Sequence, residues 1–208
     1  MNPPVDTVRL ILIRHGTTIW NSQNRFIGTT DLPLDENGKR QAKQLASHLT
    51  RDIPDVIYSS NLKRAAETAA IIAESCSLEP VLDPRLREID FGIWEGLTLD
   101  EISLSYSSEY ARWTAGIPVP NMNIEPSDSL LVRAGSFLHH IRTNHRGDTV
   151  LTVSHGAIMQ AIIFLALSLP YRNDWYFYMY NGSISELWLK NGSAAMVRLN
   201  DTHHLDMQ

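Results

Sequence analysis

Leu10-Ile11-Leu12-Ile13-Arg14-His15-Gly16-Thr17-Thr18 decides how the chain is read. An apolar run rich in β-branched and leucine side chains has the composition of a strand buried on both faces. It stops abruptly at an arginine and a histidine, with a glycine to turn on. Such an ending delivers both polar side chains to the carboxyl edge of a sheet, where open α/β sheets bind ligands. A cation beside an imidazole suits an anionic electrophile such as a phosphate ester. The alternative for Arg14-His15-Gly16 alone is a solvated strand end, and the rest of the chain has to decide between them.

A second run, Thr149-Val150-Leu151-Thr152-Val153-Ser154, ends the same way at His155-Gly156, and an apolar helical pattern starts at once. Adjacent parallel strands would bring His15 and His155 to one edge. The helix start past His155 would add backbone N–H groups and a positive dipole end, both suited to phosphate. A shorter strand, Asp55 to Tyr58, leads into Ser59-Ser60-Asn61 as an N-cap and a helix from Leu62 to about Cys76, with Arg64 in its first turn. Three strand ends therefore converge Arg14, His15, Arg64 and His155.

Between these segments lie further elements. Trp20 to Asp35 is a polar loop that Phe26, Ile27 and Leu32 tie down. A helix opens at Asp35-Glu36-Asn37-Gly38, with Ala42, Leu45, Ala46 and Leu49 on one face. Pro80 to Leu82 reads as an edge strand. Thr98 to Trp113 reads as helical, and Gly116 to Pro126, with three prolines, as a surface excursion. Ser127-Asp128 caps a helix whose stripe is Leu130, Leu131, Ala134, Phe137, Leu138 and Ile141. Asn181 to Lys190 and Ala194 to Asn200 form a closing hairpin around Asn191-Gly192. Strands alternating with helices predict an α/β fold, with a mostly parallel sheet covered on both faces.

The chain has 208 residues, 43% of them apolar, which suits one domain over 1–208 with a substrate-side excursion around 98–126. A net charge of -5 argues against nucleic acid as a partner. The lone Cys76 rules out an internal disulfide. The first residues lack a signal-peptide pattern, and Ala161 to Leu167, the longest apolar run, is too short to span a bilayer. A soluble cytoplasmic protein without membrane partners is the expectation. The pairs His139-His140 and His203-His204 do not have metal-ligand spacing, so no metal is expected. Trp175-Tyr176-Phe177-Tyr178 reads either as a homodimer face or as a packed core edge.

The ordered set Arg14-His15-Gly16, Trp20-Asn21, Arg25 to Leu34, Ser59 to Thr68, Leu86 to Gly96 and Ser154-His155-Gly156 resembles the histidine phosphatase superfamily, also called phosphoglycerate mutase-like. It is most similar to the short phosphatase branch that includes α-ribazole and metal-independent phosphoserine phosphatases. The resemblance implies a three-layer α/β/α sandwich and a cofactor-free phosphomonoesterase acting on a small phosphate ester through phosphohistidine. Candidate substrates are α-ribazole phosphate, phosphoserine or a sugar phosphate. It also implies that His15 is the nucleophile, with its ring tautomer fixed by the Gly16 carbonyl, and that Glu88 is the general acid. Arg14 and Arg64 would clamp the phosphoryl oxygens in bidentate fashion and His155 would donate to one of them. Asn21 and the Gly28-Thr29 backbone would line the phosphate. Asp90 and Glu95 compete with Glu88 for the acid's role. Thr17 stands where the family usually has Glu or Gln, and is expected to help read the leaving group. So are Phe91, the stretch from Tyr106 to Pro126 and the C-terminal tail. The alternatives are a phosphoglycerate mutase and a catalytically silent phospho-ligand-binding module.

Overall fold

The computed structural model describes residues 6–50, 53–171, 173, 176–190 and 192–205. Met1 to Val5, Trp175 and Asn191 carry expectations about the N-terminus, the aromatic run and the hairpin turn; they lie outside the described residues. Along the chain come β1 (Val8–Arg14), α1 (Ile19–Ser22), α2 (Glu36–Leu49), β2 (Val56–Ser59), α3 (Lys63–Cys76) and β3 (Val81–Leu82). Then follow α4 (Leu99–Ser105), α5 (Ser107–Thr114), α6 (Ser127–Asn144), β4 (Thr149–Ser154), α7 (Gly156–Ala166), β5 (Ile184–Lys190) and β6 (Ser193–Asp201).

The six strands form one sheet in the order β3-β2-β4-β1-β5-β6. The first four run parallel, and β5 and β6 are antiparallel additions at one side. Alternation along β1 sends Ile11 and Ile13 to one face and Leu10 and Leu12 to the other. The first face packs on α2 and α3 through Leu45, Leu49, Ala65, Ala69 and Ile72. The second packs on α6 and α7 through Leu130, Phe137, Ile141, Ile158 and Ile162. This is the expected three-layer sandwich, and it explains why β1 and β4 are apolar without alternation. Among the described residues, no helix is long and apolar enough to cross a membrane.

Three expected element boundaries need correction. The start of α3 is not capped by Ser59-Ser60-Asn61: its N-cap is Leu62, which has no capping side chain. The Lys63 N–H goes instead to Asp31 Oδ1 at 2.7 Å, so the loop before α2 supplies the acceptor. The helix expected over 98–113 is two helices. Thr98 and Glu101 form a capping box at its start, and the chain leaves helical geometry at Tyr106, within a serine-rich stretch that favours helices weakly. Ser127 is already inside α6, and its Oγ donates to Asn173 Oδ1 at 2.9 Å rather than capping the helix.

A polar relay joins β2 to the end of α6. Asn144 Nδ2 donates to His140 Nδ1 at 3.1 Å, so His140 carries its proton on Nε2 and donates to Tyr58 Oη at 3.1 Å. Tyr58 donates in turn to His145 Nε2 at 3.0 Å, and His145 Nδ1 donates to Asp148 at 3.0 Å. These histidines are therefore occupied in packing, and no described group of three or more His, Cys, Asp or Glu could hold a metal ion. Tyr58→Phe leaves two ring nitrogens unpaired, so a loss of about 1–2 kcal/mol is expected. In a protein of this length, that lowers Tm by roughly 2–8 °C. An unchanged melting curve would show that the relay contributes nothing.

Candidate active site

Strands β1 and β4 pair in register with Arg14 opposite Ser154, and the His15 N–H donates to the Ser154 carbonyl at 3.0 Å. His15 and His155 therefore leave the sheet side by side, with ring centroids 5.0 Å apart. Arg64 reaches them from the first turn of α3. Its Nε–H is shared between His15 Nε2 at 3.3 Å and His155 Nδ1 at 3.2 Å. The turn at Gly16 is tight against the start of α2: a Cβ there would meet the Gly38 carbonyl oxygen at 2.5 Å. Only glycine lets the two backbones approach so closely. The Gly16 N–H is bound in turn by Thr68 Oγ1 at 3.1 Å, one helical turn beyond Arg64.

These contacts settle both tautomers. His15 Nδ1 lies 2.7 Å from the Gly16 carbonyl, which can only accept, so Nδ1 carries the proton and Nε2 presents a lone pair. His155 Nδ1 accepts from Arg64, so its Nε2 carries the hydrogen. His155 Nε2 and Arg14 Nε are buried and find no partner among the described residues. Buried donors of this kind need an acceptor, and a phosphoryl oxygen is one. Burial, then the charges of Arg64 and Arg14, hold the His15 imidazole well below the usual histidine range; burial and Arg64 lead the same shift at His155. Burial also lowers Arg64 to about 10, which still leaves it charged at neutral pH.

Both rings are thus neutral in the folded protein at pH values where an unfolded histidine, titrating near 6.5, takes up a proton. Below about 6.5 the unfolded chain binds more protons than the folded one. Stability is then expected to fall with falling pH, by at most about 1.4 kcal/mol per pH unit for each ring. Urea unfolding at pH 7 and 5.5 checks this, with His155→Gln expected to show the shallower slope. Equal slopes in the two proteins would contradict it.

Arg64, expected to clamp the phosphoryl oxygens with Arg14, turns its Nε–H to the two imidazoles. Its Nη1 donates to the Thr30 carbonyl at 2.9 Å and its Nη2 to the Gly28 carbonyl at 2.7 Å, and the residue is fully buried. Arg14, by contrast, borders the cleft, and its Nη1 donates to the Met179 carbonyl. The 179–182 segment also holds His15: Asn181 Nδ2 donates to the His15 carbonyl at 3.0 Å, and the Gly182 N–H to the Arg14 carbonyl at 2.9 Å. The last described residues, 202–205, pack against this segment through His204. His204 Nε2 donates to the Gly182 carbonyl at 2.9 Å, and its ring lies 5.3 Å from that of His48 on α2.

Glu88 occupies the start of α7. Its Oε1 accepts from the N–H groups of Ile89 at 3.0 Å, Ala157 at 3.1 Å and Ile158 at 3.3 Å. The helix start expected to bind phosphate thus holds this carboxylate instead. Both roles rest on the same physics, unpaired N–H groups and a positive dipole end. Arg133 steadies the Glu88 segment, donating to the Arg85 and Arg87 carbonyls while paired with Glu125 at 2.8 Å. The competitors are engaged elsewhere. Asp90 accepts from the Gly92 N–H at 2.8 Å. Glu95 accepts from the Thr29 N–H at 2.7 Å and the Thr30 N–H at 2.8 Å.

A cavity of about 360 Å³ brings together Arg14, His15, Asn21 and Glu88. Gly28 and Thr29, expected to line the phosphate, are not among the residues bordering this cavity; the Thr29 N–H binds Glu95, and the Gly28 carbonyl accepts from Arg64. Gly28 is needed for another reason, since a Cβ there would meet Glu95 Oε1 at 2.3 Å. Thr17 is also turned elsewhere, its Oγ1 donating to Asp35 at 2.7 Å beside the start of α2. The sequence marks Glu95 only as a competitor for the acid's role, and does not single out Asn181, Thr68 or Arg133 as site residues. Asn181 reads as the start of the closing hairpin, whereas β5 begins at Ile184, and nothing local marks the Asn181 bond to His15.

A mostly parallel sheet whose central strands end in an arginine and two neutral imidazoles beside one cleft, with a second arginine reaching both rings from α3, defines a class, enzymes that pass a phosphoryl group through histidine. Residues 10–202 match the histidine phosphatase superfamily (branch 1), and the chain belongs to it. It is 38% identical over 199 residues to "Phosphoserine phosphatase 1" of Hydrogenobacter thermophilus, covering 95% of this chain and 94% of that protein. It is 32% identical over 212 residues to "Probable phosphoglycerate mutase GpmB" of Photorhabdus laumondii, covering 96% and 95%. Bacillus stearothermophilus YhfR superposes with a TM-score of 0.86 at 32% identity, over 96% of this chain and 100% of that one. The chain is a metal-independent phosphomonoester hydrolase of the histidine-phosphatase type, and its likeness to the short phosphatase branch is borne out.

Proposed function

We propose that His15 is the nucleophile, Glu88 the general acid and base, and Arg14 and His155 the grip on the phosphoryl oxygens. The observation that carries this reading is the 2.7 Å bond from His15 Nδ1 to the Gly16 carbonyl, which leaves Nε2 unprotonated on a residue that borders the cleft; its lone pair must exchange the 3.3 Å contact with Arg64 Nε–H for phosphorus. In the first step the Nε2 lone pair forms an N–P bond as the ester P–O bond breaks. The leaving alkoxide takes the Glu88 proton. In the second step water attacks phosphorus and loses its proton to the Glu88 carboxylate. The N–P bond breaks, and free His15 and inorganic phosphate are restored. Arg14 Nε and His155 Nε2–H meet the equatorial oxygens, where negative charge is spread during transfer. Arg64 acts through the two rings, keeping His15 unprotonated and His155 as a donor. Asn21, at the cleft wall, contacts the phosphate.

Rapid acid-free quenching with a 32P-labelled ester tests the reading. Acid-labile label on His15, absent in His15→Ala, is expected. An enzyme that turns over at full rate and never labels would refute it. The net charge of -5 supports a small phosphate ester over a nucleic acid as substrate. A mutase reading is favoured only by the names of the GpmB relatives. Incubation with 3-phosphoglycerate separates the two: phosphate release without 2-phosphoglycerate is expected.

A further inference from the structure

We propose that the leaving group is an alcohol with an apolar, ring-sized body and no second anionic group. This rests on the hydrolase activity and adds the substrate's chemical class. Beyond Arg14, His15 and Glu88, the same cavity is walled by Phe91, Leu99, Tyr110, Phe177, Tyr178 and Met179. These come from three separate places: the segment after Glu88, the α4–α5 excursion and the stretch before β5. The wall is braced from behind. Phe91 is 3% exposed and meets Phe26 edge-on at 5.1 Å and Trp113 at 5.9 Å. Tyr110 stacks on Trp113 at 6.1 Å, and Phe177 lies 5.8 Å from Phe164. At the rim, Leu99 is 45% and Tyr178 68% exposed, an apolar margin beside polar catalytic groups. A margin of this kind marks a surface that receives something apolar. A volume of about 360 Å³ lies near the lower end for small-molecule sites, ~300 Å³, enough for a phosphoryl group and a ring but not for a long chain.

The charges point the same way. Among the described residues lining the cavity, Arg25 is the one cation besides Arg14. Arg25 is already engaged: its Nη1 donates to the Gly96 carbonyl and pairs with Glu101 at 3.2 Å, and its Nε donates to Gln23 at 3.2 Å. Arg112, the base of the excursion, donates to the Pro118 carbonyl and does not line the cavity. A carboxylate or second phosphate on the leaving group would lose water against aromatic rings without gaining an unengaged cation, which is unfavourable. The neutral amides of Asn21, Asn24 and Asn181 line the cavity and suit an ester oxygen or a hydroxyl. By this argument the chain differs in preference from relatives named for phosphoserine or phosphoglycerate.

Benzyl phosphate, O-phosphoserine, 3-phosphoglycerate and ethyl phosphate all release unactivated alkoxides, so comparing them reads the wall and not leaving-group reactivity. Assayed with EDTA present, kcat/KM for benzyl phosphate is expected to exceed that for phosphoserine and phosphoglycerate by roughly 10-fold or more, the scale of burying part of a ring. Tyr110→Ala and Phe177→Ala should each lower the benzyl-to-ethyl ratio by about 10-fold, mainly through KM. Leu99→Arg should shift the preference toward 3-phosphoglycerate. Equal or greater kcat/KM for either carboxylated ester, or a benzyl-to-ethyl ratio that neither truncation moves, overturns the proposal. Failure of the hydrolase reading looks different, because no ester then releases phosphate. Binding decides the wall in that case: benzylphosphonate tighter than methylphosphonate by roughly 10-fold supports it, and equal affinity overturns it.

Discussion

His15→Ala is expected to lower kcat/KM by about 10⁴-fold or more, since removing a nucleophile leaves only binding and electrostatic catalysis. The fold should survive. The ring is held by its own turn, through Gly16, and by Arg64, so its loss unpins little of the core. Circular dichroism and a melting curve separate loss of chemistry from loss of structure. His15→Asn is the sharper control, because an amide can still hydrogen bond to Gly16 but presents no comparable lone pair to phosphorus. Retention of more than a tenth of the activity in either variant would remove His15 from the mechanism.

The second large effect is expected at Glu88, and it should depend on the ester. Glu88→Gln keeps the shape and can still accept from the α7 amides through its carbonyl oxygen, but cannot give up a proton. With an alkyl phosphate, whose alkoxide is a poor leaving group, the loss should be about 10²–10⁴-fold. With an aryl phosphate bearing a strongly electron-withdrawing ring, departure needs little help and the deficit in the first step should shrink to a few-fold. Burst kinetics then read the second step, where Glu88→Gln cannot accept the proton of water and phosphoenzyme should accumulate. A uniform loss across leaving groups would assign Glu88 to holding the start of α7 alone.

Much of this architecture was legible because its signals are local. The unbroken apolar runs of β1 and β4, each ended by a histidine and a glycine, predict a sheet buried on both faces with two imidazoles at one edge. The pairing Arg14↔Ser154 bears that out. What escaped reading was mostly bonding between distant segments. Glu95 holds Thr29 from 66 residues away, Glu88 reaches Ala157 across 69, and Asn181 reaches His15 across 166. A side chain satisfying a backbone group so far along the chain leaves no periodicity and no spacing. Arg64 shows a different limit. Its motif marked it as important, but only the geometry shows that it shares a single N–H between two rings. The tail was ambiguous for the same reason, since His204 is defined by Gly182 and His48 and by nothing beside it.

The groups assigned to the reaction sit on the ends of β1 and β4, on the first turn of α3 and against the start of α7, all anchored in the central layers. The rim comes from α4, α5 and the 176–180 stretch, at the molecule's margin. Selection can therefore exchange one customer for another by rewriting the margin while the engine underneath stays untouched.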